Sequence, residues 1–256
     1  MNQRVTLDIV DDAIAIVSLN RPDKYNGLDL AMFEGIVGAA KKIRKNKKIR
    51  AVILRGEGDV FSSGLDVKSI MSSPVAITKL LVKPGVKISN LAQDVALVWR
   101  QLPVPVIAVT HGVCFGGAFQ IVLGADFRYT SKDCQFSIME GKHGLIPDMS
   151  GSVTLRELVS IDVAKELTMT ARIFEAPEAK ELGIVTKVCE QPFDEAISFA
   201  KLLCEKSAPA VNSAKRLFNE TWVASEKEAL NLETKLQLKI LGKKFAEMTP
   251  LKHLLK

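Results

Sequence analysis

Cysteine is scarce in this chain of 256 residues, and Cys114, Cys134, Cys189 and Cys204 are all there are. Their spacing offers no paired metal motif and no dense disulfide framework, so a reducing cytoplasm is the expected compartment. The first residues, Met1 to Val5, carry no apolar segment of the kind a secretory leader needs. Neither of the glycine-rich phosphate fingerprints, GxGxxG and GxxxxGK[ST], occurs. A membrane helix is lacking too. Val104 to Ala125 approaches the ~20 apolar residues a span requires, but Pro105, His111, Gln120 and several glycines divide it into strand, turn and helix.

Positive charge exceeds negative, with 35 Lys and Arg against 29 Asp and Glu. Much of the excess lies in the run Lys41 to Arg50. Three readings are open: a solvated helix end whose cations favour the C-terminal dipole, a patch that attracts a phosphate-rich substrate, or a nucleic-acid surface. The run has no interleaved aromatics for base stacking, so the helix end is preferred and nucleic acid is the least favoured.

What is present is ordinary for a globular enzyme, 47% hydrophobic and 25% charged residues. The length fits one large domain, or a domain with an appendage. Strand-like runs recur at Val5–Ile9, Ile14–Leu19, Ala51–Arg55, Val106–Val109, Asp126–Thr130, Gln135–Ser137 and Ile184–Val188, with helical patterns between many of them. The first helix is expected from about Leu30 to Arg44. This order points to repeated ββα units rather than a doubly wound sheet. After Pro192 three helices follow, over Phe193–Lys206, Ala210–Trp222 and Ser225–Phe245, so a core of residues 1–191 and a helical region of 192–256 are expected.

Two strand-to-helix junctions stand out. His111-Gly112-Val113-Cys114-Phe115-Gly116-Gly117-Ala118 follows one buried-strand pattern, and Phe61-Ser62-Ser63-Gly64-Leu65-Asp66 follows another. Adjacent glycines there leave backbone N–H groups bare, a setting suited to a developing oxyanion. Close packing of helix on strand is the plainer account of the same glycines. Asp66 is a good N-cap type for the helix that follows.

These segments, together with Gly144-Leu145-Ile146-Pro147-Asp148, resemble the signature of the crotonase superfamily, the enoyl-CoA hydratase/isomerase fold. Arg21-Pro22-Asp23-Lys24-Tyr25-Asn26-Gly27-Leu28 continues the match, as do Thr170 to Ala179, Leu182 to Val185, and Pro209-Ala210-Val211 with Lys215. The resemblance covers nearly the whole chain in the right order. It implies a crotonase-like spiral of ββα repeats with a C-terminal helical region that covers the active site and joins subunits into trimers or dimers of trimers. The implied substrate is an acyl-CoA thioester, with no separate cofactor and no metal. Its carbonyl would sit between the Leu65 and Gly117 N–H groups. The region Met71 to Ser89, read as loop plus helix, would shape the acyl pocket.

Typical hydratases of the superfamily use two glutamates. By motif position the first falls on Gln120 and the second on Glu140. An amide can orient a water but cannot take its proton, which puts two-glutamate hydration in doubt. Asp148, eight residues after Glu140, resembles the aspartate of dienoyl-CoA isomerases, although it is also a plain turn former after proline. Glu140 and Asp148 are therefore the candidate proton carriers for a double-bond shift. Lys24, Ser63, Asp66, Lys68 and Gln120 are candidate substrate contacts, Gln120 being alternatively a satisfied buried amide. His143 has no third ligand to make a metal site with Glu140. Hydration is the alternative reaction. A binding protein with weak or lost chemistry is the alternative of another class.

Overall fold

The computed structural model of the chain describes residues 4–248, with side chains through Gly242. β1 (Val5–Val10) and β2 (Ile14–Leu19) form an antiparallel hairpin. Its turn places Asp11 and Asp12 at positive φ, a conformation aspartate tolerates better than most side chains. β3 (Ala51–Gly56), β4 (Val106–Thr110), β6 (Phe127–Thr130) and β9 (Lys187–Val188) then add in parallel, so one six-stranded sheet runs β1-β2-β3-β4-β6-β9. β2 and β4 are buried along their whole length. That is why they appear in the sequence as continuous apolar runs rather than alternating ones. A second sheet contains β5 (Val113–Phe115), β7 (Gln135–Ser137) and β8 (Phe174–Glu175).

The helices fall between these strands. α1 (Leu30–Lys45) is capped by Asp29, whose carboxylate accepts the Met32 N–H, and it buries Met32, Phe33, Ile36, Val37, Ala40 and Ile43 at helical spacing. α2 (Val67–Met71), α3 (Pro74–Leu81) and α4 (Leu91–Gln101) follow β3; α4 begins at a capping box between Asn90 and Gln93. α5 (Gly117–Leu123) is buried on every side. α6 (Gly151–Leu155), α7 (Ile161–Thr170) and α8 (Ala176–Glu181) complete the core.

The ββα order is visible in the bonding. Strands of the large sheet are followed by segments that run towards the smaller one. β4 leads to β5 and β6 to β7. After β3 the second strand has shrunk to one bridge, Ser62 to Cys114, and after β2 to another, Leu28 to Leu65. The chain is thus a spiral of ββα units, as the sequence predicts.

α9 (Pro192–Glu205), α10 (Ala208–Thr221) and α11 (Glu226–Met248) form the C-terminal region. α9 lies on the outer face of the large sheet, where Ala196 and Ala200 meet Ile14, Ile53, Ile107 and Val109. α10 is anchored by Lys215. Its ammonium meets Asp126 at 2.7 Å and donates to the Trp99 and Val104 carbonyls. Beyond that anchor, Phe218, Trp222, Leu230 and Leu238 remain exposed.

Several expectations shift in detail. The run Ile184–Val188 yields only the short β9, and Asp126 lies just outside β6, its carboxylate accepting the Val106 N–H. The basic run Lys41 to Arg50 is the solvated end of α1 and the loop after it. There Arg44 donates to the Gln101 carbonyl and Arg50 to that of Lys206. Val104 to Ala125 divides into β4, β5 and α5, and no helix among the described residues is long and apolar enough to cross a membrane.

Candidate active site

The two glycine junctions lie side by side. The Ser62 N–H donates to the Val113 carbonyl and the Phe115 N–H to that of Ser62, lacing the loops together. Gly64 adopts φ +92°, and a Cβ there would come within 2.6 Å of the Phe115 carbonyl oxygen. Gly116, with φ 53° and ψ −123°, turns the chain from β5 into α5 in a region only glycine enters readily. Both glycines are demanded by backbone geometry.

That lacing brings Leu65 and Gly117 to one cavity. Leu28 donates to Gly64 O at 2.8 Å and accepts from the Asp66 N–H at 3.1 Å. The intervening Leu65 N–H must therefore point away from Leu28, as alternate residues of a ladder do. Gly117 occupies the first position of α5, where backbone N–H groups have no partner within the helix. Leu65 and Gly117 line a single cavity of about 250 Å³. Phe33, Ile70, Ile77 and Leu80 supply apolar lining from α1, α2 and α3, so the Met71–Ser89 region does shape the pocket wall.

Two carboxylates line the same cavity, Glu140 and Asp148. Glu140 sits in a 3-10 turn, Met139–His143, directly after β7. Gln120 Nε2 donates to its Oε1 at 2.6 Å, while its Oε2 is buried without a hydrogen-bond partner. Burial pushes the Glu140 carboxyl above the usual carboxylate range, and the nearby charge of Asp148 adds to the rise. Partial enclosure also raises Asp148, although as a whole this residue is exposed. The cavity therefore brings together two glycine-bearing loops, an apolar wall and two carboxyl groups.

A family model for enoyl-CoA hydratase/isomerase matches residues 10–253. The chain belongs to that family, within the crotonase superfamily. Among curated relatives, it is 33% identical to the mitochondrial Delta(3,5)-Delta(2,4)-dienoyl-CoA isomerase of Rattus norvegicus; the match covers 64% of this chain and 51% of the relative. It is 31% identical to a trans-2-decenoyl-[acyl-carrier-protein] isomerase of Streptococcus mutans, over 66% of this chain and 64% of that protein. The matches thus span about half to two thirds of these relatives' length. The crystal structure of an enoyl-CoA hydratase from Bacillus anthracis superposes with a TM-score of 0.85 at 27% identity, covering 94% of this chain and 92% of that one.

Within this family frame the remaining candidate residues have distinct places. Ser63 lines the cavity beside Gly64. Lys24 and Lys68 are exposed on the turn before α1 and on α2. Two expected substrate contacts carry structural bonds. Asp66 accepts from Arg21 at 2.7 Å and caps α2 through the Ser69 N–H, so its carboxylate is already engaged. Gln120 is only 1% exposed and lies behind Glu140, not on the cavity wall; its Oε1 accepts from the Met149 N–H at 2.9 Å and the Gly151 N–H at 3.1 Å. His143 lines the cavity, and no cluster of three potential metal ligands occurs among the described residues. The C-terminal cover implied by the resemblance is not seen in the single chain, since no described residue beyond Met149 lines the cavity.

One key residue escapes a sequence reading. Asn26 is fully buried at φ 52°, and its amide donates to the Glu57, Val60 and Phe61 carbonyls while its Oδ1 accepts from the Arg21 N–H. It pins the loop that ends in Gly64 and Leu65. Its one legible signal is its place in the Arg21–Leu28 motif.

Proposed function

We propose that the protein catalyses a double-bond shift in an enoyl- or dienoyl-CoA thioester. The observation that carries this reading is the identity of the acids on the cavity. Glu140 and Asp148 line it, and the position of the first hydratase glutamate holds a neutral amide whose two ends are already bonded.

The thioester carbonyl oxygen lies between the Leu65 and Gly117 N–H groups. Glu140 takes a proton from the acyl carbon, the C–H electron pair moves onto the carbonyl, and the enolate forms against those two donors. Return of the proton at the far end of the conjugated system completes the isomerisation with no change in mass. Asp148 serves where the proton must travel further, as in a 3,5-dienoyl chain. The raised Glu140 carboxyl is suited to both taking and returning a proton. This chemistry calls for no separate cofactor.

Hydration is the second reading. It would need a water activated by Glu140 with Gln120 or Asp148, and Gln120 is buried with its oxygen bonded twice and its nitrogen already donating to Glu140. A CoA-thioester binding protein without turnover is the third. The exposed apolar residues of α10 and α11 favour a homotrimer or a dimer of trimers, and the four free cysteines favour the cytoplasm. The test is incubation with trans-2-enoyl-, trans-3-enoyl- and 3,5-dienoyl-CoA. A shifted double bond at unchanged mass supports isomerisation. A gain of one water mass from the 2-enoyl thioester overturns it, as does a raised melting temperature with no turnover of any substrate.

A further inference from the structure

We propose that Gln120 is the positioning residue of this site, fixing Glu140 by one oxygen so that the other, Oε2, is the atom that carries the proton. The proposal rests on the reading of Glu140 as proton carrier. Its ground is the direction of three hydrogen bonds. The N–H groups of Met149 and Gly151 are donors only, so the Gln120 amide must turn its oxygen towards them. The NH₂ end is then committed to Glu140 Oε1, which can only accept. Oε2 has no partner. A proton taken up by Glu140 therefore resides on Oε2.

The choice of an amide follows from the same geometry. A glutamate at position 120 would still accept from Met149 and Gly151 through one oxygen. Its other oxygen would face Glu140 Oε1 at 2.6 Å with no hydrogen between them. Two carboxylates so placed must share a proton, and the pair would hold it to higher pH than a lone carboxyl does. The amide gives Glu140 a donor and leaves it free to act as a base. The same amide oxygen ties the turn at Ser150, which stands at φ 72°. Asp148 lies at the start of that turn, so one side chain sets the positions of both acids. The charged groups that act on Glu140 besides it are Asp148, which raises its proton affinity, and His143 of its own turn, which lowers it.

The test combines carboxyl titration with kinetics. The purified protein is labelled with ¹³C at the Glu side-chain carboxyls, and the Glu140 signal is assigned by its loss in Glu140→Gln. In Gln120→Glu the Glu140 titration is expected to move up by about one pH unit or more, and the rising limb of the pH–rate profile to move with it. Gln120→Met keeps the shape but neither bond. It is expected to lower kcat by on the order of 10- to 100-fold with KM little changed. Two results would overturn the proposal. One is an unmoved Glu140 titration in Gln120→Glu. The other is a new hydration product from that variant, which would put side chain 120 against the substrate. If the wild type turns over no enoyl thioester, the isomerase reading fails on its own, and the titration still decides the role of Gln120.

Discussion

Glu140 is the residue on which the chemistry and the stability of this protein pull in opposite directions. Its carboxyl is raised by burial, so the folded state holds its proton more tightly than the unfolded chain does. The resulting penalty is absent below the ordinary value near 4.5 and grows as pH rises through the raised folded value. Glu140→Gln removes that penalty and still accepts from Gln120. The variant is therefore expected to melt at a higher temperature than the wild type at neutral pH, with the difference vanishing in acid. Its turnover should fall by roughly 10²- to 10⁴-fold. For the wild type, kcat/KM should rise with pH through the Glu140 titration, because only the ionised form takes a proton. Asp148 is expected to divide the substrates. Asp148→Asn is expected to cut turnover of a 3,5-dienoyl thioester by on the order of 10²-fold or more while a trans-3-enoyl thioester loses far less. Equal losses on both would assign Asp148 to the turn and not to the proton path.

The elements that build the site are two loops held together by glycine. Gly64 has no room for a side chain because the Phe115 carbonyl stands where its Cβ would be. Gly64→Ala should push the loops apart and carry the Leu65 N–H out of place, lowering kcat by about 10²- to 10³-fold. A KM effect without loss of kcat would mean that this donor contributes only to binding. These junctions are legible in the sequence because glycines beside buried-strand runs stand out, although only the order of the motifs along the chain gives them a meaning beyond close packing. Long buried strands such as β2, β3 and β4 were legible for a similar reason, each being a run of apolar residues bounded by polar ones. β5 and β8, with three and two residues, are too short to show any period. α4 is marked in the sequence by its capping box, Asn90 with Gln93. The direction of the Gln120 amide could not be read either, since it depends on Met149 and Gly151, some thirty residues further on and brought close only by the fold.

At the scale of the whole molecule, the spiral puts the cavity on one side and leaves the C-terminal helices on another. α9 covers the large sheet, whereas α10 and α11 extend Phe218, Trp222, Leu230 and Leu238 into solvent. We propose that this apolar surface joins subunits. Light scattering is expected to give the mass of a trimer or hexamer, and charged substitutions at Phe218 and Trp222 to lower it. A monomer with full activity would remove any need for a second subunit at the site. The account as a whole stands on the double-bond shift, and one measurement reaches it directly. The purified protein is given a 3,5-dienoyl-CoA and a trans-2-enoyl-CoA, and the products are followed by mass and chromatography alongside Glu140→Gln. The predicted result is a dienoyl product of unchanged mass with its double bonds moved, absent in the variant. Rapid addition of one water to the 2-enoyl thioester, with the dienoyl substrate untouched, would contradict it.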